Sequence, residues 1–222
     1  MSWTRGGAAA VGVAAAIGLL APATGSAQLE ISPTFGFYLP AGALIKEGSR
    51  SNPSELLEKR QEAAFFLSAR GLFWATKRLG VAANVTFAPS AVAVTDSFGT
   101  KDITAAVLLA DARVIVPFTP VKAKWSAYLG AGAGIVSRTG TVWGYRSGAT
   151  APAFVAALGV RTPLYALGVR PPYPPPRVVF RMEVADYISR AQFDSGLPTE
   201  TTARSHHDLT FSIIFAFSIT RR

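Results

Sequence analysis

Few side chains in this sequence are of the types that do chemistry, and their spacing limits what they can do. The two histidines, His206 and His207, are adjacent. Neighbours on an extended strand point to opposite faces, so the two do not readily share one metal ion. No metal and no other cofactor is expected. Ser205 and His207, two residues apart, share a face. A serine beside an imidazole attacks an ester when a carboxylate orients the ring. Here the order is serine before histidine, and no convincing carboxylate partner stands out, so no catalysis is expected. Gly130, Gly132 and Gly134 are a weak echo of a nucleotide-binding turn, but they alternate too strictly and no helix follows. Asn84-Val85-Thr86 matches a glycosylation pattern, yet it falls in a predicted strand. The chain has no cysteine, which removes disulfide and thiolate chemistry.

A second set of polar residues is more regular. Glu30, Arg70, Asp111, Arg113, Arg161, Arg181, Glu183 and Asp208 all fall on the face of their segments that otherwise carries Gly, Ala, Ser and Thr. Arginine and carboxylate side chains forced onto one enclosed face satisfy each other by charge-assisted hydrogen bonds. Their expected role is structural: a network that fills and stiffens a narrow interior.

The elements that must position these residues follow from period-two alternation, the pattern of strands with a different environment on each face. Leu29, Ile31, Phe35, Phe37 and Leu39 alternate with Glu30, Ser32, Thr34, Gly36 and Tyr38. Near the other end, Leu209, Phe211, Ile213, Phe215, Phe217 and Ile219 alternate with Asp208, Thr210, Ser212, Ala216 and Ser218, with Ile214 off pattern. Six further strands are predicted at about residues 61–75, 79–88, 103–118, 124–137, 151–164 and 177–189. Long connections are expected at 40–60 (with 54–60 a short helix), 89–101, 138–148 and 191–205. Short turns are expected at 76–78 and 119–123. The connection at 165–176 breaks that alternation, and its prolines at 171–172 and 174–176 read as a stiff spacer.

Composition places these strands in a membrane. Half of the 222 residues are hydrophobic, and the mean hydropathy is +0.30. Yet beyond the first thirty or so residues no stretch reaches the roughly 20 apolar residues of a spanning helix. Several strands reach about 10 residues, the length a tilted strand needs to cross a bilayer. The small-residue face holds almost no mid-strand lysine, unlike a water-facing surface, and fits a crowded lumen. Phe37, Phe73, Phe87, Trp125 and Phe217 sit near strand ends, as interfacial aromatic girdles do. The 22 basic residues exceed the 13 acidic ones, but they are scattered, so nucleic acid is not an expected partner. Anionic lipid and lipopolysaccharide are better matched. Arg5, the apolar run to Ala23 and the small residues of Gly25-Ser26-Ala27 read as a cleavable signal peptide, 1–27, ahead of a single domain, 28–222.

The strand–turn–strand Leu72-Phe73-Trp74-Ala75-Thr76-Lys77-Arg78-Leu79-Gly80-Val81, the run Tyr128-Leu129-Gly130-Ala131-Gly132-Ala133-Gly134, Arg181-Met182-Glu183-Val184 and the closing His207-Asp208-Leu209-Thr210-Phe211-Ser212 carry a resemblance. In their order along the chain they resemble the outer-membrane β-barrel domain family of Gram-negative bacteria, which includes small OmpA-, OmpX- and OmpW-like barrels. The expected fold is all-β: one closed, antiparallel, up-and-down transmembrane barrel of about eight strands. The resemblance implies export to the outer membrane, insertion by the barrel-assembly machinery and no shared catalysis. The resemblance also implies an aromatic end, as most such barrels have, whereas the last aromatic here is Phe217, before Ile219-Thr220-Arg221-Arg222. The expected role is structural or interactive: membrane organisation, binding through external loops, or limited passage of small apolar molecules. Two rivals remain open from sequence, a periplasmic lipocalin-like lipid carrier and a barrel enzyme that modifies lipid A.

Overall fold

The computed structural model describes residues 28–48, 56–76, 78–96, 98–119, 124–140, 149–167, 178–191 and 204–219. The signal-peptide assignment, the proline run and residues 192–203 of the last long connection lie outside the described residues. Ten strands account for nearly all of the described chain: β1 (Gln28–Ala41), β2 (Ile45–Gly48), β3 (Leu56–Gln61), β4 (Ala64–Thr76), β5 (Leu79–Asp96), β6 (Gly99–Pro117), β7 (Ser126–Gly140), β8 (Ala149–Pro163), β9 (Val178–Ala191) and β10 (Arg204–Ile219).

All ten join one antiparallel sheet, ordered β2-β3-β5-β4-β1-β10-β9-β8-β7-β6, which the β5–β6 pairing closes on itself. The closed circuit takes in every strand except β2 and β3, which makes it eight-stranded. First and last strands meet along the seam from Leu29↔Ile219 to Ala41↔His207. Closure removes the open edges that would leave backbone groups unpaired in lipid.

Two expectations are corrected. The span 89–101 is not a long loop: β5 runs to Asp96, β6 begins at Gly99, and their register is unbroken from Gly80↔Ile115 to Asp96↔Gly99. Val92, Val94 and Thr95 are strong strand formers, which extends the ladder. The turn is closed by Asp96, whose carboxylate accepts the Phe98 amide at 2.8 Å, and by Gly99 at φ 136°, a conformation glycine alone adopts without strain. Residues 56–61 are likewise strand, not helix, because β3 pairs with the far end of β5, Glu58↔Thr95 to Gln61↔Val92. That tertiary pairing overrides the local helix propensity of Leu56-Leu57-Glu58-Lys59-Arg60. Together β2, β3 and the outer halves of β5 and β6 form a sheet that projects from one end of the barrel.

Each side of the wall has its own chemistry. Ile31, Phe37, Leu67, Val85, Phe154, Leu158 and Met182 are each more than half exposed on the outside, far more apolar surface than a water-soluble protein leaves uncovered. Inward residues are buried and arranged in tiers. Near the projecting sheet Phe66, Val107, Leu109, Val136 and Val155 form an apolar layer with Tyr38 and Tyr187. At the opposite end Leu72, Trp74, Ala82, Ile115 and Tyr128 form another. Ile214, off pattern in sequence, is buried at 1% exposure and belongs to the lumen.

Candidate functional site: a charged lumen

Strand parity delivers the polar residues to the interior. Even positions of β1, β4, β5, β7 and β10 and odd positions of β6, β8 and β9 face inward. Hence Glu30, Arg70, Asp111, Arg113, Arg161, Arg181, Glu183 and Asp208 all point into the lumen, and none is more than 8% exposed. They do not form one undivided cluster but three groups stacked along the axis.

In the middle group Glu183 is the hub. It accepts Arg70 Nη1 at 2.7 Å, Arg113 Nη1 at 2.9 Å and the Tyr128 hydroxyl at 2.8 Å. Asp111 lies beside it, 2.7 Å from Arg113 Nε, and accepts Asn84 Nδ2 at 2.8 Å and the Tyr187 hydroxyl at 2.5 Å. Toward the short-turn end Glu30 pairs with Arg181 and accepts Trp74 Nε1 at 2.9 Å. Arg161 lies over the Trp74 ring, 5.1 Å from its centroid, a cation–π contact. Toward the projecting sheet Asp208 pairs with Arg138 at 2.5 Å and accepts the Tyr38 hydroxyl at 2.5 Å. Every strand of the closed circuit contributes at least one member.

Glycine makes room for these groups. A Cβ at Gly132 would lie 2.0 Å from the Ala112 carbonyl oxygen, so the close approach of β7 to the Asp111/Arg113 strand requires glycine there. The glycine row is a packing device, not a phosphate cradle.

Sequence reasoning missed several participants. Alternation alone puts Arg138 at the start of a loop, but β7 continues to Gly140 and keeps its inward parity. Tyr38, Tyr128, Tyr187 and Trp74 donate to carboxylates; the signal available was their parity, shared with the charged residues. On the outer wall, the carboxylate judged absent beside His207 is present: His207 Nδ1 lies 2.8 Å from Asp186 Oδ2. Asp186 has the opposite parity to Glu183, which places it among the membrane-facing residues. His206 is on the inner face, 4% exposed. Ser205 is exposed on the His207 face. Among the described residues, no group of three or more His, Cys, Asp and Glu side chains is arranged to hold a metal.

The wall, the parity and the closed register are those of a membrane barrel, and comparison with solved structures agrees. The chain superposes on the outer membrane protein OprG from Pseudomonas aeruginosa with a TM-score of 0.61, 10% identity and coverage of 88% of this chain and 97% of that one. The fold is that of the small outer-membrane barrels. Neisserial surface protein A gives a TM-score of 0.53 at 11% identity, covering 88% of this chain and all of the other. No family model matches the sequence, and no curated protein matches it.

Proposed function

We propose that this chain is an outer-membrane barrel of a Gram-negative bacterium that anchors a projecting sheet and acts through its outer rim, with a lumen closed to bulk solute. The ion-paired interior carries the reading. Three stacked groups of charged side chains, held by ion pairs and by the Arg161–Trp74 contact and interleaved with apolar tiers, fill the space a solute would cross. Open aqueous channels belong to barrels of about 16 strands, about twice the number here. The charged middle tier also speaks against a lipocalin-like pocket, which would be apolar throughout.

The end bearing the sheet of β2, β3, β5 and β6 is assigned to the outside. The opposite end, where β4 and β5 are joined by a short turn, faces the periplasm, following the asymmetry of such barrels. Partners in this reading are outer-membrane lipid and lipopolysaccharide at the wall, the barrel-assembly machinery during insertion, and an external partner at the projecting sheet. Phe98, 97% exposed at the hairpin tip, is a prominent apolar contact among the described residues of that sheet.

The test is expression in a Gram-negative host, followed by membrane fractionation, gels of boiled and unboiled samples, and planar-bilayer conductance. Outer-membrane recovery, a heat-dependent mobility shift and no steady conductance are expected. A soluble periplasmic protein, or a stable open channel, would overturn the proposal.

A further inference from the structure

A carboxylate on the membrane-facing wall of a barrel is costly unless something there uses it. Asp186 is such a group: its neighbours of the same parity on β9 are Val184 and Ile188. One oxygen, Oδ2, meets His207 Nδ1, while Oδ1 is turned into the wall, buried and without a hydrogen-bond partner. An ionised carboxylate has about four acceptor positions, so Asp186 is under-bonded. In the tautomer that carries its proton on Nδ1, His207 donates to Asp186 and leaves its other ring nitrogen as an acceptor. The His207 side chain is 48% exposed and that of Asp186 26%, so the pair meets the membrane mainly through the imidazole, with the carboxylate behind it.

Beside it the wall is indented. Asp186, Ala156, Ala131 and Val114 form one cross-strand row, through Asp186↔Ala156, Ala156↔Ala131 and Ala131↔Val114. Two alanines in the middle of this row leave a trough, bordered by the larger Leu158 and Leu129 of the next row. Its volume is about 720 Å³, its lining is almost wholly apolar, and Asp186 is the charged residue on its border. That volume lies within the range of about 300–1,000 Å³ typical of small-molecule sites.

We infer that this trough is a lipid site: it seats an acyl chain, and the Asp186–His207 pair accepts hydrogen bonds from a hydroxyl or amide N–H near that chain's head. The occupant is a lipid because the trough opens on the membrane-facing wall. It is a donor-bearing lipid because the polar groups at the trough's end are acceptors. Acyl chains joined through amides and bearing hydroxyl groups, as in lipid A, have this chemistry; diacyl phosphatidylcholine lacks it. Ser205 shares the face of His207, but among the described residues its hydroxyl makes no hydrogen bond to the ring, and the inference is one of binding.

The inference rests on the membrane placement proposed above, and the experiment separates the two. Full-length protein, reconstituted in bilayers of lipid A and dioleoyl phosphatidylcholine, would be released into a native mass spectrometer and its retained lipid counted. The wild type is expected to retain lipid A about tenfold over phosphatidylcholine, a ratio that two modest hydrogen bonds supply. Asp186→Leu should abolish that preference while keeping the heat-dependent gel shift. Ala156→Phe, which fills the trough, should reduce retention of both lipids. Equal retention of both lipids by the wild type, or a preference unchanged in Asp186→Leu, would overturn the site. Free fatty acid released by the wild type but not by Ser205→Ala would overturn the binding-only reading in favour of hydrolysis. Absence of the gel shift in the wild type would instead sink the membrane placement.

Discussion

Gly159 lies against the ring of Tyr128: a Cβ at position 159 would sit 2.4 Å from the tyrosine's Cζ and hydroxyl oxygen. The hydroxyl so placed donates to Glu183 at 2.8 Å. A glycine on β8 thereby sets the position of a side chain on β7 that reaches a carboxylate on β9. Gly159→Ala should displace Tyr128 and lower stability by about 1–3 kcal/mol, the usual range for overpacking. Gly71→Ala, where an added methyl meets nothing within 4 Å, is the matched control. Urea unfolding of both variants in lipid vesicles measures the difference, and equal midpoints would remove Gly159 from the network's support.

Glu183 holds two guanidinium groups, so neutralising it strands both. Glu183→Gln should cost about 3–5 kcal/mol, the range for removing one side of a buried ion pair. Replacing Arg70, Arg113, Asp111 and Glu183 together with apolar residues of similar volume leaves no charge of this group stranded and should recover much of that loss. The same unfolding measurement distinguishes the two. A quadruple variant less stable than the single one would mean that the charges contribute net stability.

Arg161 makes the opposite case. Among the described residues no carboxylate lies within ion-pairing distance of it, and its recorded partner is the Trp74 ring. Arg161→Met gives up a cation–π contact of about 0.5–2 kcal/mol but also removes the burden of an unpaired buried charge. Its stability should therefore change far less than that of Glu183→Gln. Comparable losses in the two variants would show that Arg161 has a partner the geometry does not reveal.

The membrane-facing wall can be tested by charge. Leu158→Arg puts a cation on the lipid side of β8, where such substitutions cost about 2–4 kcal/mol near the bilayer midplane. Phe98→Arg puts the same cation at the tip of the projecting hairpin and should be nearly neutral. Insertion yield and unfolding midpoint in vesicles read both. A tolerated Leu158→Arg would place that face in water.

Much of this was legible in the sequence, and what was missed has a common cause. Alternation assigns faces reliably because the strand period is two, so the eight charged positions were separable from Leu158 or Phe154 before any coordinates. Alternation does not say where a strand stops. Arg138 and the span from Ser90 to Asp96 fall in loops when strand lengths are matched to the membrane rather than to the longer ladders that β6 builds with β7 and that β5 builds with β6 and β3. The phenols of Tyr128 and Tyr187 were visible as inward residues, but their carboxylate partners lie on other strands and depend on register. The pairing of His207 with Asp186 is of the same kind: 21 residues separate them, and only the β9–β10 register brings the two side chains together.

The seam between first and last strands has a consequence for how the molecule is made. Glu30 meets a guanidinium 151 residues further along the chain, and Tyr38 meets a carboxylate 170 residues away. Until β9 and β10 arrive, a partly built barrel holds Glu30, Arg70 and Arg138 without their partners, with water their only compensation. Such an intermediate gains little by entering lipid early, and burial becomes favourable for these charges only as the last two strands are added. The interior then works as a completeness check, under which a truncated chain, short of its last two strands, forfeits the reward for inserting.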